Sequence, residues 1–226
     1  MSDAEFDRYV HHYEAMHRKS IGFSGCEPEY FARYKVNFAS RHCRDRSVVL
    51  DFGAGTGNSI PHFRNYFPGS ELVCADVSGD SLEYAAGRFP GNERFIRFGD
   101  RLPLANDSAS LCFAACVFHH ILPQEHVRWL TELFRVTRPG GMLAVFEHNP
   151  RNPLTRKAVD RCEFYKDAIL IRPETLRAAM AAAGWSDLKL HYHVFFPGFL
   201  ARLRPVEPLL AWLPLGGQYS IMGLKH

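Results

Sequence analysis

The sequence lacks several features that mark specialised classes of protein. Its six cysteines are scattered with no C-x-x-C pair, which disfavours a zinc site or a disulfide framework. No apolar run is long enough to cross a bilayer, and the opening residues, MSDAEFDRYVHHYE, lack the apolar segment of a signal peptide. The net charge of +3 comes without a dense basic stretch, which argues against nucleic acid as a partner. We therefore expect a cytoplasmic protein without stable membrane insertion.

The composition is that of an ordinary globular protein. Apolar residues make up 46% of the 226 residues and charged residues 23%. The length allows one structural unit with a substantial core, and there is no internal repeat or low-complexity linker. Cys112 and Cys116 are predicted on the same side of one strand, where buried free thiols are expected rather than metal ligands.

The stretch SVVLDFGAGTGNSIPHF, residues 47–63, predicts a strand, a glycine turn and the start of a helix. Gly53, Gly55 and Gly57 stand at alternate positions, where the absence of side chains lets a ligand approach the backbone. Asn58 and Ser59 are candidate caps for a helix starting near Pro61. The turn is typical of a site for a nucleotide-like ligand.

The spacing in this turn discriminates between ligands. A dinucleotide fingerprint is G-x-G-x-x-G, but here the third glycine comes one residue early. Asp51 ends the predicted strand just before the glycines; its carboxylate would repel a pyrophosphate and suit a cationic ammonium group. An ordinary glycine-rich β–α turn without a ligand is the alternative.

Residues 1–45 are predicted to form an N-terminal helical cap and residues 46–226 a sheet domain, the two together making a single structural unit. Phe6, Tyr9, Val10, Tyr13 and Met16 recur at helical spacing, and Pro28 opens a second helix rich in aromatic residues. The two helices either form a lid that lines the substrate or simply pack on the sheet, and the sequence leaves both alternatives open.

Two further acidic residues follow predicted strands. Strand 71–75 ends at Asp76, about 20 residues beyond the glycines, where a carboxylate accepts both hydroxyls of a ribose. Val77 is placed to pack on a base, and a surface helix cap is the alternative role for Asp76. Strand 94–98 precedes Asp100 and Arg101, which either contribute to the ligand site or pair with each other.

Candidate proton acceptors follow the next two strands. Strand 109–118 ends in His119 and His120, and strand 142–146 ends in Glu147 and His148. Ligands bind at the carboxyl ends of such strands, and a neutral imidazole titrates near the operating pH. Satisfied structural histidines are the alternative. Glu147 with His148 is a weak candidate for a divalent metal, and no metal site is predicted.

The remaining segments complete the sheet. The helix 123–136 is predicted to bury Val127, Leu130, Leu133 and Phe134, and the sequence R-V-T-R-P-G-G then makes a turn. A helix over 173–183 and strands over 188–196 and 218–224 follow. The apolar run 199–212 either packs over the site or touches a membrane or an apolar substrate.

Four motifs in order, over residues 47 to about 149, resemble the class I S-adenosylmethionine-dependent methyltransferases, closest to the UbiE-like, type 11/12 subgroup. They are D-x-G-x-G-x-G, Asp76, Asp100 and R-V-T-R-P-G-G-M-L-A-V-F. The resemblance implies an α/β doubly wound, Rossmann-like seven-stranded sheet with an antiparallel last strand. Ala109 and Ser110 depart from the aromatic–aspartate pair usual in the family.

The resemblance also implies roles for individual residues. Asp51 and the turn residues 53–57 would hold the methionine end of S-adenosylmethionine, Asp76 the ribose and Asp100 the adenine amino group. The full set of predicted cofactor contacts is Asp51, Gly53, Ala54, Gly55, Gly57, Asp76, Val77, Asp100, Arg101 and Cys116. The predicted catalytic candidates are His148, His119 and His120.

We predict an enzyme that transfers a methyl group from S-adenosylmethionine to a small molecule, with oxygen as the favoured acceptor atom. Two rivals are kept: a nicotinamide-dependent oxidoreductase on a similar sheet, and a non-catalytic partner protein that retains the cofactor pocket. Neither the acceptor nor the oligomeric state follows from the sequence.

Overall fold

A seven-stranded sheet with strand order β3-β2-β1-β4-β5-β7-β6 organises the chain. The computed structural model describes residues 28–160 and 168–226. The strands are β1 (Val48–Phe52), β2 (Glu71–Asp76), β3 (Arg94–Arg97), β4 (Ala109–Ala115), β5 (Thr137–His148), β6 (Ser186–His193) and β7 (Gln218–Leu224). The first five strands are parallel, and β7 lies antiparallel between β5 and β6. This confirms the predicted fold class and the antiparallel last strand.

Helices cover both faces of the sheet. They are α1 (Pro28–His42), α2 (Ile60–Tyr66), α3 (Gly79–Arg88), α4 (His126–Val136), α5 (Pro153–Asp160), α6 (Pro173–Ala182) and the short α7 (Glu207–Leu210). Short 3₁₀ turns occupy Phe118–His120, Pro123–Glu125 and Gly198–Val206.

Alternation along the strands divides the core into two layers. In β1, Leu50 and Phe52 join the layer that also contains Leu130 of α4 and Leu176 of α6. Val49 points to the opposite layer, which contains residues of α1, α2 and α3, including Val36, Ala39, Ile60, Phe63 and Leu82. Both faces of the strands are therefore buried, as continuous apolar strands require.

The position of α1 bears on the predicted cap. Val36 and Ala39 are fully buried against the sheet, so this helix contributes to the same core as β1. Tyr34 and Lys35 lie nearer the carboxyl edge of the strands, where the ligand is expected. The predicted helix over residues 3–19 lies outside the described residues.

Several predicted boundaries and contacts were wrong. The predicted turn at residues 135–141 is not a separate turn: Arg135 and Val136 end α4, and residues 137–141 belong to β5, which accommodates Gly140 with a φ of +76°. Val127 is exposed, and Trp129 takes a place in the buried stripe of α4. Ser59 occupies the N-cap position of α2 without a side-chain cap hydrogen bond. Cys116 lies beyond the end of β4, so it does not share a strand face with Cys112.

The apolar run over residues 199–212 leaves large side chains facing outward. Phe199, Leu209 and Trp212 are 82%, 75% and 73% exposed. Glu207 links this segment to the residues that follow β6. Its buried carboxylate accepts hydrogen bonds from the backbone N–H groups of Phe195 and Phe196 at 3.1 and 3.0 Å. Among the described residues, no helix combines the length and apolar character needed to span a membrane.

Candidate active site

The strand order reverses between β1 and β4, and the crevice at their carboxyl ends is the expected ligand position in an open α/β sheet. Asp51 lies at this point, in β1, with its side chain 2% exposed. Its Oδ2 has no hydrogen-bond partner among the described residues. Burial, together with the charge of Asp76, raises the pKa of Asp51 to about 7. A buried carboxylate with an unused oxygen is suited to a cationic ligand group.

The glycine turn opens one wall of the crevice. Gly55 has a φ of +51°, and a Cβ added there would meet nothing within 4 Å. Gly57, with a φ of +76°, has no such space, because a Cβ would lie 2.9 Å from the Cβ of Ala85. Gly55 thus exposes backbone to a ligand, whereas Gly57 allows the turn to pack on α3.

Asp76 connects the end of β2 to this turn. Its Oδ2 accepts the backbone N–H of Gly55 at 2.8 Å, and its Oδ1 accepts the N–H of Ser78 at 3.0 Å. Each carboxylate oxygen can accept a second hydrogen bond. The helix cap of α3 is Ser78, whose hydroxyl accepts the N–H of Ser81, so Asp76 is not that cap. Its side chain is therefore held beside Gly55 at the crevice.

The other predicted cofactor contacts are more dispersed. Ala54 and Val77 are half-buried and pack against the core beside the turn. Asp100 has a fully exposed side chain that lies 3.3 Å from Arg128, not paired with Arg101 as the sequence alternative proposed. Arg101 instead faces Glu132 at 3.7 Å.

Cys116 makes a sharp turn at the end of β4. Its φ is +61°, a rare backbone conformation for a residue with a side chain. Its N–H donates to the carbonyl of Phe146 at 2.8 Å, which joins the ends of β4 and β5. Its Sγ accepts a hydrogen bond of 3.0 Å from the Nζ of Lys35. Lys35 belongs to α1 and is only 7% exposed.

The three predicted catalytic histidines come together. The ring of His119 lies 4.2 Å from that of His120 and 5.3 Å from that of His148, measured between centroids. Burial lowers the pKa of His120 to about 2 and that of His148 to about 4, so both are neutral at physiological pH. Burial also holds the pKa of His119 well below its usual range.

Glu147 completes this cluster. Its Oε2 lies 2.6 Å from the Nδ1 of His119, and its Oε1 accepts the backbone N–H of Phe118 at 2.8 Å. Both side chains are almost completely buried, and burial raises the pKa of Glu147. A carboxylate against Nδ1 fixes the orientation of the imidazole and stabilises a proton that arrives on the ring.

Sequence reasoning missed two residues of this site. Glu147 was considered only as a metal ligand, although E-H ends β5 and H-H follows β4. Adjacent parallel strands end at the same edge of a sheet, so the two pairs were expected to lie close together. No sequence motif marks Lys35 as a site residue, because it is one lysine in an amphipathic helix. Within residues 28–160 and 168–226, no group of three or more His, Cys, Asp or Glu side chains is arranged to hold a metal ion.

A crevice of this kind, bordered by a glycine turn and two carboxylates, defines a nucleotide-type ligand site. Residues 50–145 match a family model described as a methyltransferase domain. A ubiquinone/menaquinone biosynthesis C-methyltransferase, UbiE, of Ectopseudomonas mendocina is 28% identical over 194 residues, covering 73% of this chain and 74% of that protein. A malonyl-[acyl-carrier protein] O-methyltransferase of Yersinia pestis is 30% identical over 103 residues, covering 42% and 34%.

The fold also matches that of solved methyltransferases. A Thermotoga maritima protein described as a SAM-dependent methyltransferase, possible histamine N-methyltransferase, superposes with a TM-score of 0.69 at 20% identity, over 99% of both chains. The matched domain, the relatives and the shared fold together support a class I S-adenosylmethionine-dependent methyltransferase. S-adenosylmethionine is its cosubstrate.

Proposed function

We propose that this enzyme methylates a small molecule at an atom that must lose a proton, with oxygen as the first choice. The main support is the buried contact of 2.6 Å between His119 and Glu147, within a cluster of neutral histidines at the carboxyl edge of the sheet. An acceptor without a proton to lose, such as a tertiary amine or a thioether, would not need this pair. The relatives include proteins named as a C-methyltransferase and as an O-methyltransferase.

The crevice suits the cosubstrate, which supplies a methyl group from a sulfonium that loses its positive charge in the transfer. We assign Asp51 to the amino-acid ammonium, since its buried Oδ2 is unused. The Gly53–Gly57 turn would border the amino-acid end, Asp76 would accept the ribose hydroxyls, and Val77 would pack on the adenine.

The proton has a defined destination in this proposal. His119 is the histidine whose Nδ1 faces a carboxylate, so a proton accepted by the cluster is stabilised there by Glu147. His120 and His148 pack beside His119 and contribute further neutral imidazoles. These neighbours, together with burial, keep the cluster unprotonated before the reaction.

The experiment is a transfer assay with ¹³C-methyl-labelled S-adenosylmethionine against fractionated metabolite extracts. We expect a labelled product whose methyl resonance has the chemical shift of a methoxy carbon. A methyl bound to carbon would establish the second candidate, C-methylation, which the UbiE relatives favour. A methyl on an atom with no proton to lose, such as a tertiary amine nitrogen or a thioether sulfur, or no labelled product in any fraction, would contradict the proposal.

With an acceptor in hand, Glu147→Gln tests the proton pathway. The amide oxygen of the new side chain can still accept the backbone N–H of Phe118. Its NH₂ group, however, donates to the Nδ1 of His119 and so forces the proton of the neutral ring onto Nε2, the wrong tautomer for a proton acceptor. We expect kcat to fall by about 10²–10⁴-fold while the affinity for S-adenosylhomocysteine stays unchanged. His126→Gln is the control: among the described residues the His126 side chain bonds the carbonyls of Phe118 and Ile121 and no carboxylate, so this variant should retain most activity.

Asp76→Ala and Asp100→Ala test the nucleoside assignments. Loss of charged hydrogen bonds to the ribose should weaken S-adenosylhomocysteine binding by ~1.5–3 kcal/mol in Asp76→Ala. We propose that Asp100 accepts the adenine amino group, but its exposed carboxylate already pairs with Arg128, so a smaller loss is expected. Calorimetry on both variants measures the two losses, and equal affinity of Asp76→Ala and wild type would remove the ribose assignment.

A further inference from the structure

Lys35 is a buried cation that the proposed mechanism does not use. Its side chain is 7% exposed, although it carries an ammonium group with three N–H donors. One of them bonds the Sγ of Cys116, a weak acceptor, at 3.0 Å. Lys35 forms no ion pair with any carboxylate of residues 28–160 and 168–226. Burying an ammonium is costly unless its charge is paired.

The position of Lys35 places this charge at the ligand crevice. Cys116 directly follows β4, and β4 pairs with β1, the strand that carries Asp51. Burial raises the pKa of Asp51 and that of Glu147, and the positive charge of Lys35 offsets part of each rise. The ammonium therefore lies among the groups that border the two reacting partners, without being neutralised by either carboxylate.

We propose that Lys35 binds an oxyanion of the ligands that occupy this crevice. This inference rests on the proposed function, because it assigns the charge of a ligand in the methyl-transfer site. The oxyanion has two sources: the carboxylate of the cosubstrate's amino-acid end, or an ionised carboxyl or hydroxyl oxygen of the acceptor. In either case the ligand supplies a negative charge that no described carboxylate supplies to Lys35 by an ion pair, and the pair forms at a buried ammonium.

The first experiment tests whether the oxyanion is the carboxylate of the cosubstrate. Wild type, Lys35→Met and Lys35→Arg are titrated by calorimetry with S-adenosylhomocysteine and with its decarboxylated analogue, which keeps the ammonium. Lys189→Met, at an exposed position of β6, is the control. If Lys35 binds the cosubstrate carboxylate, Lys35→Met weakens S-adenosylhomocysteine about 10- to 150-fold and leaves the analogue unchanged.

The second experiment addresses the acceptor side. Protein saturated with S-adenosylhomocysteine is titrated with benzoate against benzamide, and with 4-nitrophenolate against 4-nitroanisole. If Lys35 binds the acceptor, wild type and Lys189→Met prefer the anion of each pair. Lys35→Met loses that preference but keeps its affinity for S-adenosylhomocysteine, and Lys35→Arg retains most of the preference.

The outcomes separate the two proposals. If wild type binds S-adenosylhomocysteine but neither experiment distinguishes Lys35→Met from Lys189→Met, the oxyanion assignment is wrong and the methyl-transfer proposal stands. Failure of wild type to bind S-adenosylhomocysteine overturns both. Should Lys35→Met not fold, Lys35→Arg and the wild-type anion preferences still decide, because a wild type that favours neither the carboxylate-bearing ligand nor any anionic probe refutes the assignment.

Discussion

At the scale of single residues, Asp51 connects ligand affinity to pH. Its pKa is about 7 in the ligand-free protein, so the carboxyl is largely protonated in mild acid. A cationic ligand group binds the ionised form and must displace the proton first. We expect S-adenosylhomocysteine affinity to rise up to about tenfold per pH unit below pH 7 and to level off above it. Calorimetry across pH 5.5–8.5 measures this, and Asp51→Asn should bind weakly and without that slope.

Ionisation of Asp51 at higher pH should favour ligand binding but lower the stability of the folded protein. Folding raises the pKa of Asp51 from 3.8 to about 7, so the folded state holds this proton more tightly than the unfolded state does. The resulting stabilisation is complete below the unfolded pKa and is lost as pH rises through about 7. Asp51→Asn should therefore raise the free energy of unfolding at pH 8, on the order of 1–4 kcal/mol, and change it little at pH 4. Urea denaturation at both values decides; a variant less stable at pH 8 would contradict the argument.

At the scale of one element, the glycine turn separates packing from ligand access. Gly57→Ala should lower the free energy of unfolding by ~2–4 kcal/mol, because it combines left-handed backbone strain with a clash against Ala85 and Ile60. Gly55→Ala should cost only the strain, ~1–2 kcal/mol, but should weaken S-adenosylhomocysteine binding, because its methyl group enters the crevice. Thermal unfolding and calorimetry on the pair test this, and the reverse ranking in stability would show that the open side of the turn is not at Gly55.

Element boundaries show what local sequence can predict. The strand–glycine–helix unit of residues 47–63 and the strand ending at Asp76 were recognisable, because apolar runs, glycine spacing and an acidic end coincide there. The early start of β5 was missed, since R-P-G-G is normally turn chemistry and only pairing with Lys225 and β4 makes it a strand. The charge of Lys35 at the crevice was also invisible, because it depends on how α1 crosses the sheet, which no local pattern encodes.

At the scale of the whole molecule, a chain of side-chain hydrogen bonds links α1 to strands β6 and β7, at one edge of the sheet. The hydroxyl of Tyr34 lies 3.0 Å from the Nδ1 of His193 in β6, and the Nε2 of that ring lies 2.7 Å from the hydroxyl of Ser220 in β7. Burial lowers the pKa of His193 to about 3, so the ring is neutral and uses one nitrogen as donor and the other as acceptor. This chain helps to hold the helix that carries Lys35.

Tyr34→Phe removes the first bond of this chain. We expect a loss of about 1 kcal/mol in the free energy of unfolding. Relative to wild type, amide hydrogen exchange should accelerate in α1 more than in β1, because the helix loses a hydrogen bond that holds it while the sheet does not. Mass-spectrometric exchange on wild type and variant makes the comparison. Tyr66→Phe, whose hydroxyl forms no described hydrogen bond, is the matched control, and equal exchange of α1 in the two variants would show that the chain does not tether the helix.

The placement of β7 has a consequence for how the molecule is made. β5 and β6 both precede β7 in the sequence, yet each pairs with β7 and not with the other. During translation, residues 137–148 therefore emerge from the ribosome with one hydrogen-bonding edge unsatisfied, and it stays so until residues 218–224 follow. That edge includes Glu147 and His148, so the nascent chain completes the strands proposed to bind the cosubstrate well before the cluster proposed to accept the proton gains its last neighbour. Until then, the open edge is exposed to chance pairing with other nascent chains.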